Sequence, residues 1–214
     1  MPSLRLVAQQ ALIGFATLAA ALASRPPAGF TTRSISLPSG QTATIHENPA
    51  LVFRAVSNDP STPKLRHAKR LSYQPYTGTA GRSDYCGEAF PSFSSGGAGG
   101  GAATASDCHA LELAYSDPVK GWWAIDAADF AVAAAAAAAP GGEVTLATSG
   151  TCKFSVKTSE GTPESALFGT NDIRFYLNQA QQGAVGGKIG ASSSVSCNKA
   201  PGVSVSLTWT VSKA

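Results

Sequence analysis

The stretch EVTLATSGTCKFSV, Glu143 to Val156, puts Val144, Leu146, Thr148, Gly150, Cys152, Phe154 and Val156 on one parity. Successive side chains of a strand point to opposite faces, so this spacing predicts one long half-buried strand with Cys152 directed inward beside Phe154 and Val156. A cysteine in that position is open to three uses: nucleophile, metal ligand or half of a disulfide. The rest of the chain chooses among them.

At the other end, MPSLRLVAQQALIGFATLAAALAS carries one positive charge at Arg5, an apolar run from Ala11 to Ala23, and small residues at Ala21 and Ala23. This is the pattern of a secretory signal peptide, here residues 1–23 with processing at Ala23. The run is shorter than the roughly 20 residues that a bilayer-spanning helix needs. The expectation is a secreted, extracellular protein with no stable membrane insertion.

Secretion places the chain in an oxidising compartment, and its four cysteines, Cys86, Cys108, Cys152 and Cys197, are an even number. Their gaps of 22, 44 and 45 residues contain no C-x-x-C, which removes zinc-ribbon and thioredoxin-type motifs. A reactive thiolate needs a neighbouring cation or histidine, and the chain has only His46, His67 and His109. Two disulfides are therefore expected. Three connectivities are open. If an opening strand near Cys86 to Phe90 lies beside the strand that holds Cys152, the pairing is Cys86 with Cys152 and Cys108 with Cys197.

Within LRHAKRLSYQ, the dibasic pair Lys69 and Arg70 reads as a convertase processing site or as a solvated charge pair. The charge changes sign around it. Residues 24–70 hold seven Lys/Arg and two Asp/Glu, net +5, whereas residues 71–214 hold eight and eleven, net −3. These readings divide the chain into a signal peptide (1–23), a basic pro-segment or extended arm (24–70), a linker (71–84) and a domain (85–214). The opposite charges suit docking of the basic segment on the acidic domain. An acidic domain without a basic run is a poor match for nucleic acid, which is held mainly through neutralised phosphates. It also lacks the Lys/Arg-rich face of a peripheral membrane binder.

Two low-complexity loops are expected. Ser94 to Ser106, SSGGAGGGAATAS, is rich in glycine, whose backbone has the most entropy to lose on ordering; it contains no G-x-G-x-x-G, so no nucleotide site is expected there. The polyalanine run within 127–142 favours helix intrinsically but has no polar face. Both a short helix and a loop fit it.

The remaining elements are clearer. SDCHALELAYSDP reads as a helix capped by Ser106 or Asp107, with Cys108, Leu111 and Tyr115 on one face and Pro118 ending it. GWWAID is a strand with Trp122 and Trp123 on opposite faces. GTNDIRFYLNQAQQG reads as a second helix, capped near Thr170 or Asn171 and stopped at Gly183, with Ile173, Tyr176, Leu177 and Ala180 inward. Ile189, Ala191, Val195 and Cys197 share one face of a strand, and Val203, Val205, Leu207, Trp209 and Val211 share one face of the next. The order predicts an α+β fold: a two-layer sandwich, its antiparallel sheet carrying two helices on one face.

In order and spacing, YCGEAF, SDC, GWW, SGTCKFSV, GTNDI and GKIGASSSVSC resemble the homologues of the fungal extracellular-protein-two effectors, also described as putative necrosis-inducing factors. The resemblance runs from Tyr85 to Cys197 and takes in the last strand. It implies a small secreted fungal protein acting as an effector at the plant interface, on a disulfide-stapled fold similar to small killer toxins; related domains occur fused to chitinase modules. The glycine-rich loop, the polyalanine run and the long basic stretch before Cys86 depart from the family pattern.

No catalytic residue announces itself. His109 sits on the opening turn of the first helix, Asp126 and Asp129 flank the polyalanine run, and Asp107 and Asp172 start helices, where capping and the helix dipole account for a carboxylate. No paired carboxylates, metal-ligand cluster or cofactor motif is evident. The expected function is a non-enzymatic secreted effector that binds a host or cell-surface protein or polysaccharide, without cofactor or metal. The alternatives are a killer-toxin-like antimicrobial protein and a wall-polysaccharide-binding module using Trp122 or Trp123.

Overall fold

A computed structural model of the chain describes residues 29–48, 52–55, 84–87, 91–93, 101–116, 121–137, 142–159, 164–200 and 203–214. In chain order its elements are β1 (Thr31–Ser36), β2 (Thr42–Glu47), β3 (Val52–Ala55), β4 (Ser92–Phe93), β5 (Ala103–Thr104), α1 (Ala105–Ala114), β6 (Gly121–Ile125), α2 (Ala127–Ala137), β7 (Val144–Ser149), β8 (Cys152–Thr158), β9 (Ala166–Gly169), α3 (Thr170–Gln182), β10 (Lys188–Ile189), β11 (Ala191–Ala200) and β12 (Val203–Lys213). Ala23, Lys69 and Arg70 lie outside the described residues.

Residues 143–156 form a hairpin, where one long strand was expected. β7 and β8 pair antiparallel, and Ser149 faces Cys152 across the two-residue turn Gly150–Thr151. Gly150 has φ +53°, a left-handed conformation that glycine adopts without a Cβ penalty. The register shifts between Thr145 and Ala147, so Val144 again faces Val156. Directly opposed residues of an antiparallel pair share a face. The turn inverts the parity and the bulge restores it, which is why the whole stretch imitates a single alternating strand.

The main sheet is antiparallel throughout, with strand order β1-β2-β7-β8-β12-β11-β4. The register sets Phe154, Val211 and Ala191 in one row and Val156, Trp209 and Ser193 in the next. Leu207 and Trp209 are fully buried, whereas Ser206, Thr208 and Thr210 of the same strand alternate outward. Val203, expected inward, is 49% exposed at the strand's beginning. Smaller sheets of order β3-β6-β9 and β10-β5 complete the layer.

α1 and α3 pack side by side and form the helical layer of the α+β sandwich. Cys108, Leu111 and Ala114 of α1 are buried, as are Ile173, Tyr176, Leu177 and Ala180 of α3, the face expected from their spacing. The Tyr176 ring stacks on Trp209 with centroids 5.0 Å apart, and Trp209 stacks in turn on Phe154 at 6.3 Å. Fully burying one such side chain contributes roughly 1.5–3 kcal/mol, so this aromatic column is a main source of the stability of the helix–sheet contact.

Of the two forms open to the polyalanine run within 127–142, the chain takes the helix. It forms α2 over Ala127–Ala137, anchored by the fully buried Phe130. A Cβ at Gly142 would overlap the Phe130 carbonyl oxygen, so glycine there lets the chain turn back against the helix. The expected loop 94–106 also ends early: β5 and the first two residues of α1 fall within its last four positions. Residues 94–100 lie outside the described part.

The disulfides pair Cys86 with Cys197 and Cys108 with Cys152, which corrects the expected Cys86–Cys152 and Cys108–Cys197. The reason lies in strand order. Cys86 forms an antiparallel bridge to β11, not to the hairpin: Asn198 N–H donates to Tyr85 O at 2.8 Å and Gly87 N–H to Ser196 O at 3.0 Å, leaving Cys86 opposite Cys197. Cys108, on the first turn of α1, lies over the hairpin turn and meets Cys152.

Candidate functional site

Each helix carries aspartate at its third position: Asp107, Asp129 and Asp172. At that position a carboxylate reaches back to the free N–H of the capping residue. Asp129 Oδ2 accepts from the Asp126 N–H at 2.9 Å and Asp172 Oδ2 from the Gly169 N–H at 2.7 Å. Thus α3 is capped by Gly169 and Asp172, just before the expected Thr170 or Asn171, and Thr170 Oγ1 instead accepts the Gly121 N–H at 3.2 Å. Asp107 turns elsewhere: its Oδ2 accepts from the Thr151 N–H at 2.8 Å and the Thr151 hydroxyl at 2.7 Å, next to the Cys108–Cys152 bond.

Asp172 does more than cap. It is only 3% exposed, and beyond Gly169 it accepts the N–H of Tyr85 at 3.0 Å and of Cys86 at 3.2 Å. Tyr176 adds a third tie to this segment by donating its hydroxyl to Gly87 O at 2.6 Å. Together with Cys86–Cys197, these bonds fix residues 84–87 as one wall of a groove of about 570 Å³. The opposite wall is the second half of α1, with Glu112 and Leu113, and the flank is the outward face of α3, with Asn171, Arg174, Phe175 and Asn178.

The helical walls are bridged through Glu112. Its carboxylate accepts from Gln181 Nε2 at 2.6 Å and Asn178 Nδ2 at 3.3 Å, and faces His109 Nδ1 at 3.1 Å. His109, on the opening turn of α1, is a half-exposed partner of that carboxylate.

Burial pushes the Asp172 carboxyl well above the usual carboxylate range, and a hydrogen bond with the Asp84 carboxyl raises it further. The fold therefore favours the protonated form of the Asp172 carboxyl at the groove wall. Carboxyl pairs of this kind serve acid–base catalysts, but both oxygens of Asp172 are already engaged by backbone N–H groups. Burial also raises Tyr176, with Asp172 and Asp84 adding to the effect.

The groove's rim differs from its walls. Phe175 is 37% exposed, and Asp84, Arg174 and Asn178 are exposed beside it. On α3 these are the positions complementary to the apolar stripe, so the outward half of the site follows from helical periodicity. The tryptophans weighed for polysaccharide do not form an open platform: Trp123 is fully buried, and Trp122 is half-buried and stacked on Tyr85 at 6.1 Å. Among the described residues no group of three His, Cys, Asp or Glu is placed to hold a metal, and no helix is long and apolar enough to cross a membrane.

Residues 85–197, more than half of the chain, match the Hce2 family, described as "Pathogen effector; putative necrosis-inducing factor". No curated protein matches the chain.

Proposed function

The chain belongs to this family of pathogen effectors, and on that premise we propose that it is a secreted effector that acts by binding a host or cell-surface partner, not by catalysis, through the α1–α3 groove. Secretion is supported by the signal-like N-terminus and by two disulfides, which persist in oxidising compartments. The observation that carries the binding reading is the contrast between a braced wall and an open rim. Asp172, Tyr176, Glu112 and Cys86 are spent on holding backbone and helices together, while Arg174 and Phe175 face outward. Aromatic residues and arginine on a rigid frame are the residue types that dominate protein–protein binding energy.

The test compares wild type with Phe175→Asp and Arg174→Glu, each checked for an unchanged circular dichroism spectrum and melting point, in leaf infiltration and in fungal growth inhibition. Loss of the leaf response by folded variants is the expected result. A full response from both variants, or an effect of the wild type on fungal growth alone, overturns the reading.

A further inference from the structure

We propose that residues 31–48 are a separable strand-donating segment that stays seated on the β7 edge when the chain is opened at Lys69–Arg70, so that the processed protein is a two-chain, non-covalent complex. The segment is a self-contained unit. β1 and β2 pair over six positions, and Leu37 to Gln41 close the turn with two backbone hydrogen bonds. Its backbone joins the main sheet through β2, which pairs Ile45, His46 and Glu47 with Ser149, Thr148 and Ala147 of β7. Asn48 continues the contact, donating its backbone N–H to Leu146 O and its side-chain amide to Thr145 O, both at 3.0 Å.

Side chains lock this seat. Ile45 is fully buried in the main core. Glu47 Oε1 accepts from the Tyr115 hydroxyl and from Arg33 Nη2, each at 3.0 Å. Arg33 also donates to Ala114 O at 3.2 Å and lies 5.6 Å from the centre of the Tyr115 ring. A second anchor lies downstream, where β3 pairs with β6 over four positions.

Nothing covalent would hold the segment once the chain is cut, because both disulfides lie after Arg70. Its release would leave the β7 edge unpaired, the Tyr115 hydroxyl without its carboxylate and an Ile45-sized hole in the core. Such edges recruit other strands, and an added strand gains affinity from main-chain hydrogen bonds and specificity from side-chain pockets. The net +5 of residues 24–70 against the net −3 of residues 71–214 favours the same association.

The experiment places a site-specific protease sequence over residues 66–71 of the full chain, cuts the folded protein and applies it to a size-exclusion column in native buffer. Both pieces are expected to co-elute at equal stoichiometry and to separate only in denaturant, with Kd below roughly 1 μM. Ile45→Asp, made in the same cleavable chain, is expected to weaken retention at least tenfold. Arg33→Ala, which leaves the core intact, is expected to weaken it by a smaller factor. Separation of the two pieces in native buffer, whatever becomes of the larger one, overturns the proposal, and so does equal retention of wild type and both variants.

Discussion

Two junctions of this molecule use the same parts for different ends. At the hairpin junction, the third residue of α1, Asp107, holds the turn residue Thr151 beside Cys108–Cys152; at the groove wall, the third residue of α3, Asp172, holds Tyr85 and Cys86 beside Cys86–Cys197. Each is a helix start, a carboxylate and a disulfide pinning one segment of backbone. What approaches the carboxylate differs: at Asp107 a hydroxyl and an amide, at Asp172 a second carboxyl, Asp84. The first arrangement only fastens. The second also favours a protonated carboxyl at the wall of the groove, so a similar local motif acquires a pH response from burial and from one long-range neighbour.

The largest expected effect separates the two fastenings covalently. Cys86–Cys197 spans 111 residues and Cys108–Cys152 spans 44; by the loop-entropy relation, replacing either pair with alanine costs about 4–5 kcal/mol, slightly more for the longer loop. Urea unfolding of the two double variants measures this. A larger loss at the shorter loop would mean that the hairpin junction carries more than its covalent bond.

An intermediate effect sharpens the hairpin side. A Cβ at Gly150 would lie 2.6 Å from the Asp107 carboxylate, at a positive φ. Gly150→Ala is expected to cost about 2 kcal/mol, of which the left-handed backbone alone accounts for 1–2. Measured in an Asp107→Ala background, the cost falls to the backbone part. Equal costs in both backgrounds would show that the carboxylate yields freely.

The smallest effect is the pH response, and the two junctions should show opposite signs. The Asp172 carboxyl is raised in the fold, so its contribution is complete below the ordinary carboxylate pKa and is lost as pH rises through the raised value. Glu143, at the foot of the hairpin, is pulled upward by burial, but hydrogen bonds from Lys153 and Ser155 outweigh this and lower it. Its contribution is present above the ordinary carboxylate pKa and is lost as pH falls through the lowered value. The pair Glu143–Lys153 is partly exposed, so solvent screening leaves it a few tenths of a kcal/mol. Melting points across pH 3 to 8 should show a smaller alkaline decline in Asp84→Asn, where burial alone still raises Asp172, and should lose part of their acid decline in Glu143→Gln. An unchanged alkaline limb in Asp84→Asn would leave burial as the sole cause of the raised Asp172 carboxyl.

These contrasts also show what the chain reveals by itself. The inward face of α3 and the alternation of β12 were legible, because each periodicity extends over three helical turns or a full strand of one geometry. The hairpin was not, since Gly150 inverts a pattern that the bulge near Leu146 inverts back, and two compensating parity changes leave no trace in spacing. The disulfide partners were hidden because the strand order places Cys86 beside β11, and sheet neighbours separated by 111 residues have no local signature. The groove was half visible: Arg174 and Phe175 follow from helical phase, whereas the meeting of Asp84 with Asp172 depends on tertiary placement alone.

One feature of the main sheet bears on how the molecule comes into being. β12 lies between β8 and β11 and follows both in the chain. Neither neighbour can complete its ladder until residues 203–213 have been synthesised, so the nascent polypeptide carries two open seams until β12 is made. The β11 seam closes as a local hairpin, whereas the β8 seam pairs residues as far apart as Cys152 and Lys213, and non-local pairing of that kind slows folding and leaves an open edge exposed to trapping.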